Sequence, residues 1–313
     1  MPTRPILERL QAGVVLLMDG ATGSELQRRG VYVSKGATPE GMGVWSGTAN
    51  IDAPEVVRQV HEDYLRAGAD LITSNNFWTS RSRLALAGLA DEWERYTRAG
   101  GELAVQARDA VNPEAYVAGG MAPPGAGDLR AEFAEQAAIL AEIGVDVMLA
   151  EYVATIAEAV PAVEGCATAG LPVFLGVCLL RADGSMRDGA PLEELGRALR
   201  GGPVAAILLM CSRPEAIVAG LPHLRAGFDG VIGGYANIGY DMNPEFGTVP
   251  DAQRFRVVDE VQRAYPPERY ADFGREWVRR GAQIIGGCCA TEPAHIAALR
   301  AVVRERSGSS SPN

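Results

Sequence analysis

Short apolar runs recur along this chain, and each is followed by a stretch with helical spacing. The first, Val14-Val15-Leu16-Leu17-Met18, runs into Asp19-Gly20-Ala21-Thr22-Gly23. It reads as a buried strand opening into a glycine-containing loop. Over Pro54–Ala67 the apolar positions Val56, Val57, Val60, Tyr64 and Leu65 take helical spacing, with Gly68 as a stop. Asp70–Ser74 is the second strand and ends in Asn75-Asn76-Phe77. A long helical region follows over Ser80–Ala110, with breaks expected near Gly88 and at Gly100-Gly101. Further strands are expected at Tyr116–Gly120, Val145–Ala150, Pro172–Cys178, Val204–Met210, Gly230–Tyr235 and Gln283–Ile285. Helices at Arg130–Ile143, Ile156–Ala169, Leu192–Leu199, Pro214–Leu224, Tyr270–Arg280 and Pro293–Glu305 alternate with them. An insertion rich in Pro, Gly and Asn, Gly239–Pro267, is either a lid or a plain surface excursion.

Eight strand–helix alternations imply a parallel sheet with helices outside. The strands are continuous apolar runs, as strands buried on both faces should be. Eight such units in a chain of this length predict a single-domain α/β fold, a (β/α)₈ TIM barrel, over residues 1–306. The end of the chain, 307–313, reads as a disordered tail. No dinucleotide-binding glycine fingerprint follows the first strand, because Gly20-Ala21-Thr22-Gly23 has the wrong spacing.

Composition narrows the classes. Hydrophobic residues make up 47% and charged residues 22%, enough for a large core. A formal net charge of -10 argues against non-specific binding to nucleic acid or to anionic membranes. No apolar run is long enough to span a bilayer, and the start of the chain has no signal-peptide core, so a cytoplasmic protein is expected. Five cysteines, an odd number, make a disulfide scaffold improbable and leave metal binding, catalysis or burial.

In such a barrel the loops after the strands build the site. The residues ending strands are Asp19, Asn75, Glu151, Cys211, Asn237, Cys288 and Cys289. Three thiols suit Zn²⁺, which prefers thiolates and in catalytic sites keeps one open position. Three thiolates make a weak activator of water but allow an incoming thiol to bind as thiolate, so alkyl transfer to sulfur is the reaction expected. Gly286-Gly287 is expected to let the backbone leave strand geometry, so that both neighbouring thiols reach one ion. The alternatives are a strained vicinal disulfide or plain core packing. Cys166 and Cys178 read as structural, as do His61 and His295. Trp45, Trp78 and Trp93 read as core or rim.

Four segments resemble the homocysteine S-methyltransferase family. They are Met18-Asp19-Gly20-Ala21-Thr22-Gly23-Ser24-Glu25-Leu26, the stretch from His61 to Phe77, Leu149-Ala150-Glu151, and Ile285 to Ile296 with its Gly-Gly-Cys-Cys core. The resemblance covers roughly Leu16 to Val302. It implies a (β/α)₈ barrel with Zn²⁺ held by Cys211, Cys288 and Cys289, which are thereby also the catalytic residues. Homocysteine would bind through its sulfur as the fourth ligand, with Asp19 and Glu151 on its amino group and backbone amides of Gly20, Ala21 and Thr22 on its carboxylate. Asn75 and Asn237 are the remaining expected substrate contacts.

The chain departs from the family's usual pattern at Met210 (usually Asn), at Ser74 and Asn76 (each usually Thr), at Tyr152-Val153 (usually Thr-Pro), and at Ala236 (usually Pro). Donors used in the family are S-methylmethionine, S-adenosylmethionine, betaine, and methylated folates or corrinoids. The chain stops soon after its eighth helix, which favours a sulfonium donor, S-methylmethionine first. Phe77, Trp78, Tyr152 and Tyr235 are candidates to hold it. The alternatives are another donor or another thiol acceptor, a zinc hydrolase with few histidines to serve it, and a non-catalytic zinc- or thiol-binding barrel. Oligomeric state is not legible in the sequence.

Overall fold

The computed structural model describes residues 2–38, 41–239 and 262–308, with side chains described as far as residue 305. Eight parallel strands form one sheet: β1 Leu16–Leu17, β2 Leu71–Thr73, β3 Tyr116–Met121, β4 Val147–Val153, β5 Val173–Val177, β6 Val204–Met210, β7 Val231–Ala236 and β8 Ala282–Gly287. Each strand pairs with its sequence neighbour, and β1 pairs with β8 through Leu16–Ile284 and Leu17–Ile285. A parallel bridge between Met18 and Leu71 joins β1 to β2 and closes the ring. The fold is the expected (β/α)₈ barrel.

The uninterrupted apolar runs follow from this closure. Alternate side chains point inward and outward. Leu16, Leu149, Phe174, Leu208 and Ile284 fill the barrel interior. Leu17, Met148, Leu175, Leu209 and Ile285 pack under the helices. A short helix, Ile6–Gln11, was not foreseen. It plugs the N-terminal mouth, with Ile6 and Leu10 joining the interior cluster. At six residues it is too short for its period to register.

The long region after β2 is broken at Gly88, which is left-handed at φ +73°, but not at Gly100-Gly101, which lie inside the helix Trp93–Val111. Those two glycines serve close packing. A Cβ on Gly100 would stand 2.6 Å from Asn50 Nδ2, and one on Gly101 2.8 Å from Ile143 Cδ1. The last helix, Pro293–Gly308, continues through the first two residues of the expected tail. The rest of that tail, 309–313, and residues 240–261 of the expected lid lie outside the described residues.

Candidate active site

The C-terminal ends of the strands surround a cavity of about 490 Å³. Its floor holds Cys211, Cys288 and Cys289, whose Sγ atoms all lie within 4.8 Å of one another. The Cys211–Cys289 separation is 3.6 Å and the Cys288–Cys289 separation 3.8 Å. Both far exceed a disulfide bond of about 2.05 Å. They match the spacing of roughly 3.8 Å expected between tetrahedral ligands about 2.3 Å from a zinc ion. The donor set, three thiols with no further His, Cys, Asp or Glu ligand in the group among the described residues, fits that ion. Cys178 is buried and lies outside the trio, and Cys166 is likewise buried.

Holding consecutive side chains on one rim requires departures from the pleat, and each occurs where the site needs it. Cys211 follows β6 with φ +42°. Its amide donates to the Tyr235 carbonyl at 3.0 Å, so Met210 and Cys211 both line the cavity. On β4 the register slips between Ala150 and Val153, which pair with Leu175 and Val177. The extra residue is a β-bulge. With Tyr152 at φ +63°, it lets Glu151 and Tyr152 both face inward.

At the Cys-Cys pair the expected role of glycine is corrected. Neither Gly286 nor Gly287 has positive φ; the left-handed residue is Ala290, at +66°. The two glycines remain in strand β8 and are required for space. A Cβ on Gly286 would lie 2.7 Å from Met18 Cβ, and one on Gly287 2.7 Å from Thr291 Cβ. Thr291 ties the turn together. Its hydroxyl donates to Cys288 O at 2.7 Å and accepts from Ala21 N at 3.2 Å, and its carbonyl accepts from Tyr64 Oη at 3.1 Å.

Two acids share the cavity. Asp19 accepts from Thr73 N at 2.8 Å and from Thr73 Oγ1 at 3.2 Å. Burial pushes its carboxyl up to about 8, against those two donors, and the nearby Cys288 adds to the rise. Burial also raises Glu151 well above the usual carboxylate range, with Cys288 and Asp19 reinforcing it and the Tyr235 hydroxyl opposing. Among the thiols, Cys289 is held well below its ordinary value by donation from Cys211 and then Cys288. A cation entering this acidic, desolvated space would restore the charged form of both carboxyls.

Most of the expected substrate residues converge here. Gly20, Ala21 and Thr22 line the wall. Asn75 also lines it, but its amide is engaged. Asn75 Oδ1 accepts from Ser46 Oγ at 2.7 Å, and Nδ2 donates to Asn50 Oδ1 at 2.8 Å. Asn237 is fully buried and is not part of the cavity wall. Its Oδ1 accepts from Gly239 N at 3.0 Å.

Phe77, Trp78 and Tyr152 form an aromatic group. The Phe77 centroid stands 4.8 Å from that of Trp78 and 5.3 Å from that of Tyr152. Tyr235 lines the wall but is turned to other partners, donating to Met210 Sδ at 3.0 Å. Sequence reasoning missed Met42, Ser24 and Arg83 as wall residues and left Trp45 as core or rim. Met42 and Trp45 lie on the connection after β1, which carries no apolar period to place them. Ser24 and Arg83 lie on the short helices Thr22–Arg28 and Arg81–Ala85, too brief for a period to show which face meets the cavity. His295 is structural as expected. Its Nδ1 accepts from Glu292 N, so its Nε2–H donates to Tyr265 O at 3.1 Å.

A family profile described as homocysteine S-methyltransferase matches residues 16–303. The S-methylmethionine–homocysteine S-methyltransferase BHMT2 of Pongo abelii is 30% identical over 95% of this chain and 80% of its own length. Betaine–homocysteine S-methyltransferase 1 of Rattus norvegicus is 28% identical over 95% of this chain and 74% of its own. Among solved structures, the metallated form of the homocysteine methyltransferase MmuM from Escherichia coli superposes with a TM-score of 0.74 at 27% identity. That superposition covers 95% of this chain and 99% of that one.

Proposed function

The chain belongs to the homocysteine S-methyltransferase family and is a methyltransferase; from that premise we propose that it moves a methyl group from a small sulfonium donor to the sulfur of homocysteine. The observation that carries this reading is the trio of thiols on the cavity floor, with Cys289 at tetrahedral-ligand spacing from both Cys211 and Cys288. Zinc bound there would hold an incoming thiol as thiolate at neutral pH. The chain's own residues bind and orient. Asp19 and Glu151 receive the amino group of homocysteine, which as an ammonium draws both carboxyls back to their charged forms. Backbone amides of Gly20 and Thr22 face its carboxylate, the Ala21 amide being already bonded to Thr291 Oγ1. Phe77 and Tyr152 present ring faces to the positive sulfur of the donor.

Transfer needs no general acid, because a sulfonium leaves as a neutral thioether. What remains is alignment of thiolate and methyl group in a space closed to water. S-methylmethionine is the preferred donor. The relatives named for S-methylmethionine and for betaine both take onium compounds, and an aromatic group suits either. Incubation with homocysteine and each candidate donor, read by mass spectrometry, tests this. Methionine formed from S-methylmethionine supports the proposal. Turnover only with betaine refutes the donor choice, and zinc retained with no turnover from any donor indicates a non-catalytic barrel. Stoichiometric zinc, lost in Cys288→Ser, supports the site, whereas a fully metal-loaded Cys211→Ser/Cys288→Ser/Cys289→Ser variant refutes it.

A further inference from the structure

One charged group in the cavity wall has no task in the reaction described so far. Arg83, on the short helix Arg81–Ala85, is half-buried and lines the same space as the three thiols. Its guanidinium carbon lies 3.9 Å over the Trp78 ring. Nε and Nη2 both donate to the Pro123 carbonyl, each at 3.4 Å. Nη1 has no partner among the described residues, and no acid there stands within ion-pair distance. Glu132, whose charge reaches Arg83, is bonded instead to Ser82 Oγ at 2.9 Å. Desolvation lowers the guanidinium pKa, yet a guanidinium keeps its proton in proteins. Among the described residues, then, a fixed positive charge without counter-ion borders a cavity meant for a positive donor, and beside it the buried indole N–H of Trp78 has no acceptor.

A cation at this place opposes a plain onium ligand and rewards one that carries an anion at the right distance. The fork geometry of guanidinium, with Nη1 free, is suited to carboxylate. We propose that Arg83 is the anion anchor of the donor subsite, pairing with a carboxylate on the methyl donor. The cavity then selects zwitterionic onium donors over simple onium cations. This rests on the proposed methyl transfer and adds the residue that holds the donor's carboxylate. The onium centre goes to Phe77 and Tyr152, since Arg83 occupies a face of Trp78. The carboxylate end lies toward Arg83.

The test compares S-methylmethionine with its methyl ester, which keeps the sulfonium and removes the negative charge. Binding to wild-type, Arg83→Met and Arg83→Lys protein is measured by calorimetry without acceptor, and KM for donor and for homocysteine is measured separately. Wild type should bind the acid roughly 10- to 100-fold tighter than the ester, the range of one charge-assisted pair. Arg83→Met should abolish that ratio by weakening binding of the acid and, with the opposing charge gone, tightening that of the ester, while the homocysteine KM stays unchanged; Arg83→Lys should restore part of the ratio. An undiminished ratio in Arg83→Met, or no ratio in wild type, overturns the proposal. So does a rise confined to the homocysteine KM, which would assign Arg83 to the acceptor. If Arg83→Met does not fold, Arg83→Gln carries the same comparison. Absence of methyl transfer by wild type would refute the proposed function instead, and the binding ratio would still decide the role of Arg83.

Discussion

Gly287→Ala tests the account of how the cysteine pair is held. The φ of Gly287 is not positive, so alanine is allowed by the backbone and only space opposes it. The new Cβ would stand 2.7 Å from Thr291 Cβ and 2.8 Å from Thr291 Cγ2. It would also press on the hydroxyl that donates to Cys288 O and accepts from Ala21 N. Overpacking of this kind costs about 1–3 kcal/mol, and giving up the two Thr291 hydrogen bonds costs about 1 kcal/mol each. These are alternative ways of relieving one clash, so the cheaper bounds the cost and the expected loss is about 1–2 kcal/mol. That corresponds to a melting temperature lower by roughly 2–3 °C for a chain of this length.

The displacement also moves Cys288, so zinc affinity measured by chelator competition should fall at least tenfold. Thr291→Gly in the same chain removes the atoms that clash. The double variant should then show a coupling of about 1–2 kcal/mol in a double-mutant cycle. Thr291→Ser, which keeps the hydroxyl, should rescue little. A Gly287→Ala protein with wild-type melting temperature and zinc affinity would refute the role given to Thr291.

Further outcomes follow from the same structure. His61 is fully buried with neither ring nitrogen bonded among the described residues, and burial lowers its pKa to about 4. The unfolded chain binds a proton near 6.5 that the folded one refuses, so stability is intact above about pH 6.5 and falls toward pH 4, by about 3 kcal/mol. His61→Leu should stabilise the protein more at pH 5 than at pH 8 in paired thermal melts; equal gains at both would contradict this. Glu151→Gln should raise the homocysteine KM by roughly 10- to 100-fold while zinc content stays stoichiometric, and a loss of zinc would count against the assignment. Tyr152→Leu should raise the donor KM about 5- to 30-fold with the homocysteine KM unchanged; the reverse split would move Tyr152 to the acceptor.

The parts legible in the sequence are those whose signal is local. Strand β6 was expected at Val204–Met210 and is found there, because a continuous apolar run bounded by Gly202-Pro203 and Cys211 admits few other readings. The cysteine trio was legible because two such runs end in thiols. The cavity wall contributed by Met42, Trp45 and Arg83 was not legible: Met42 and Trp45 lie on a connection with no period, Arg83 lies on a five-residue helix too short to show which face it presents, and all three meet the thiols only after the ring closes. The bulge that turns both Glu151 and Tyr152 inward leaves no mark on a strand that is apolar on both sides. The glycines of β8 could be seen, but their purpose could not. Whether a glycine supplies backbone freedom or space depends on its neighbours, here Met18 and Thr291.

The central claim is that three cysteine thiols hold a zinc ion with a position left for the substrate sulfur. X-ray absorption at the zinc edge, with and without homocysteine, tests it most directly. The account predicts about three sulfur ligands near 2.3 Å in the free protein and about four once homocysteine is bound. A first shell that does not change on adding homocysteine, or one dominated by nitrogen and oxygen, would contradict it.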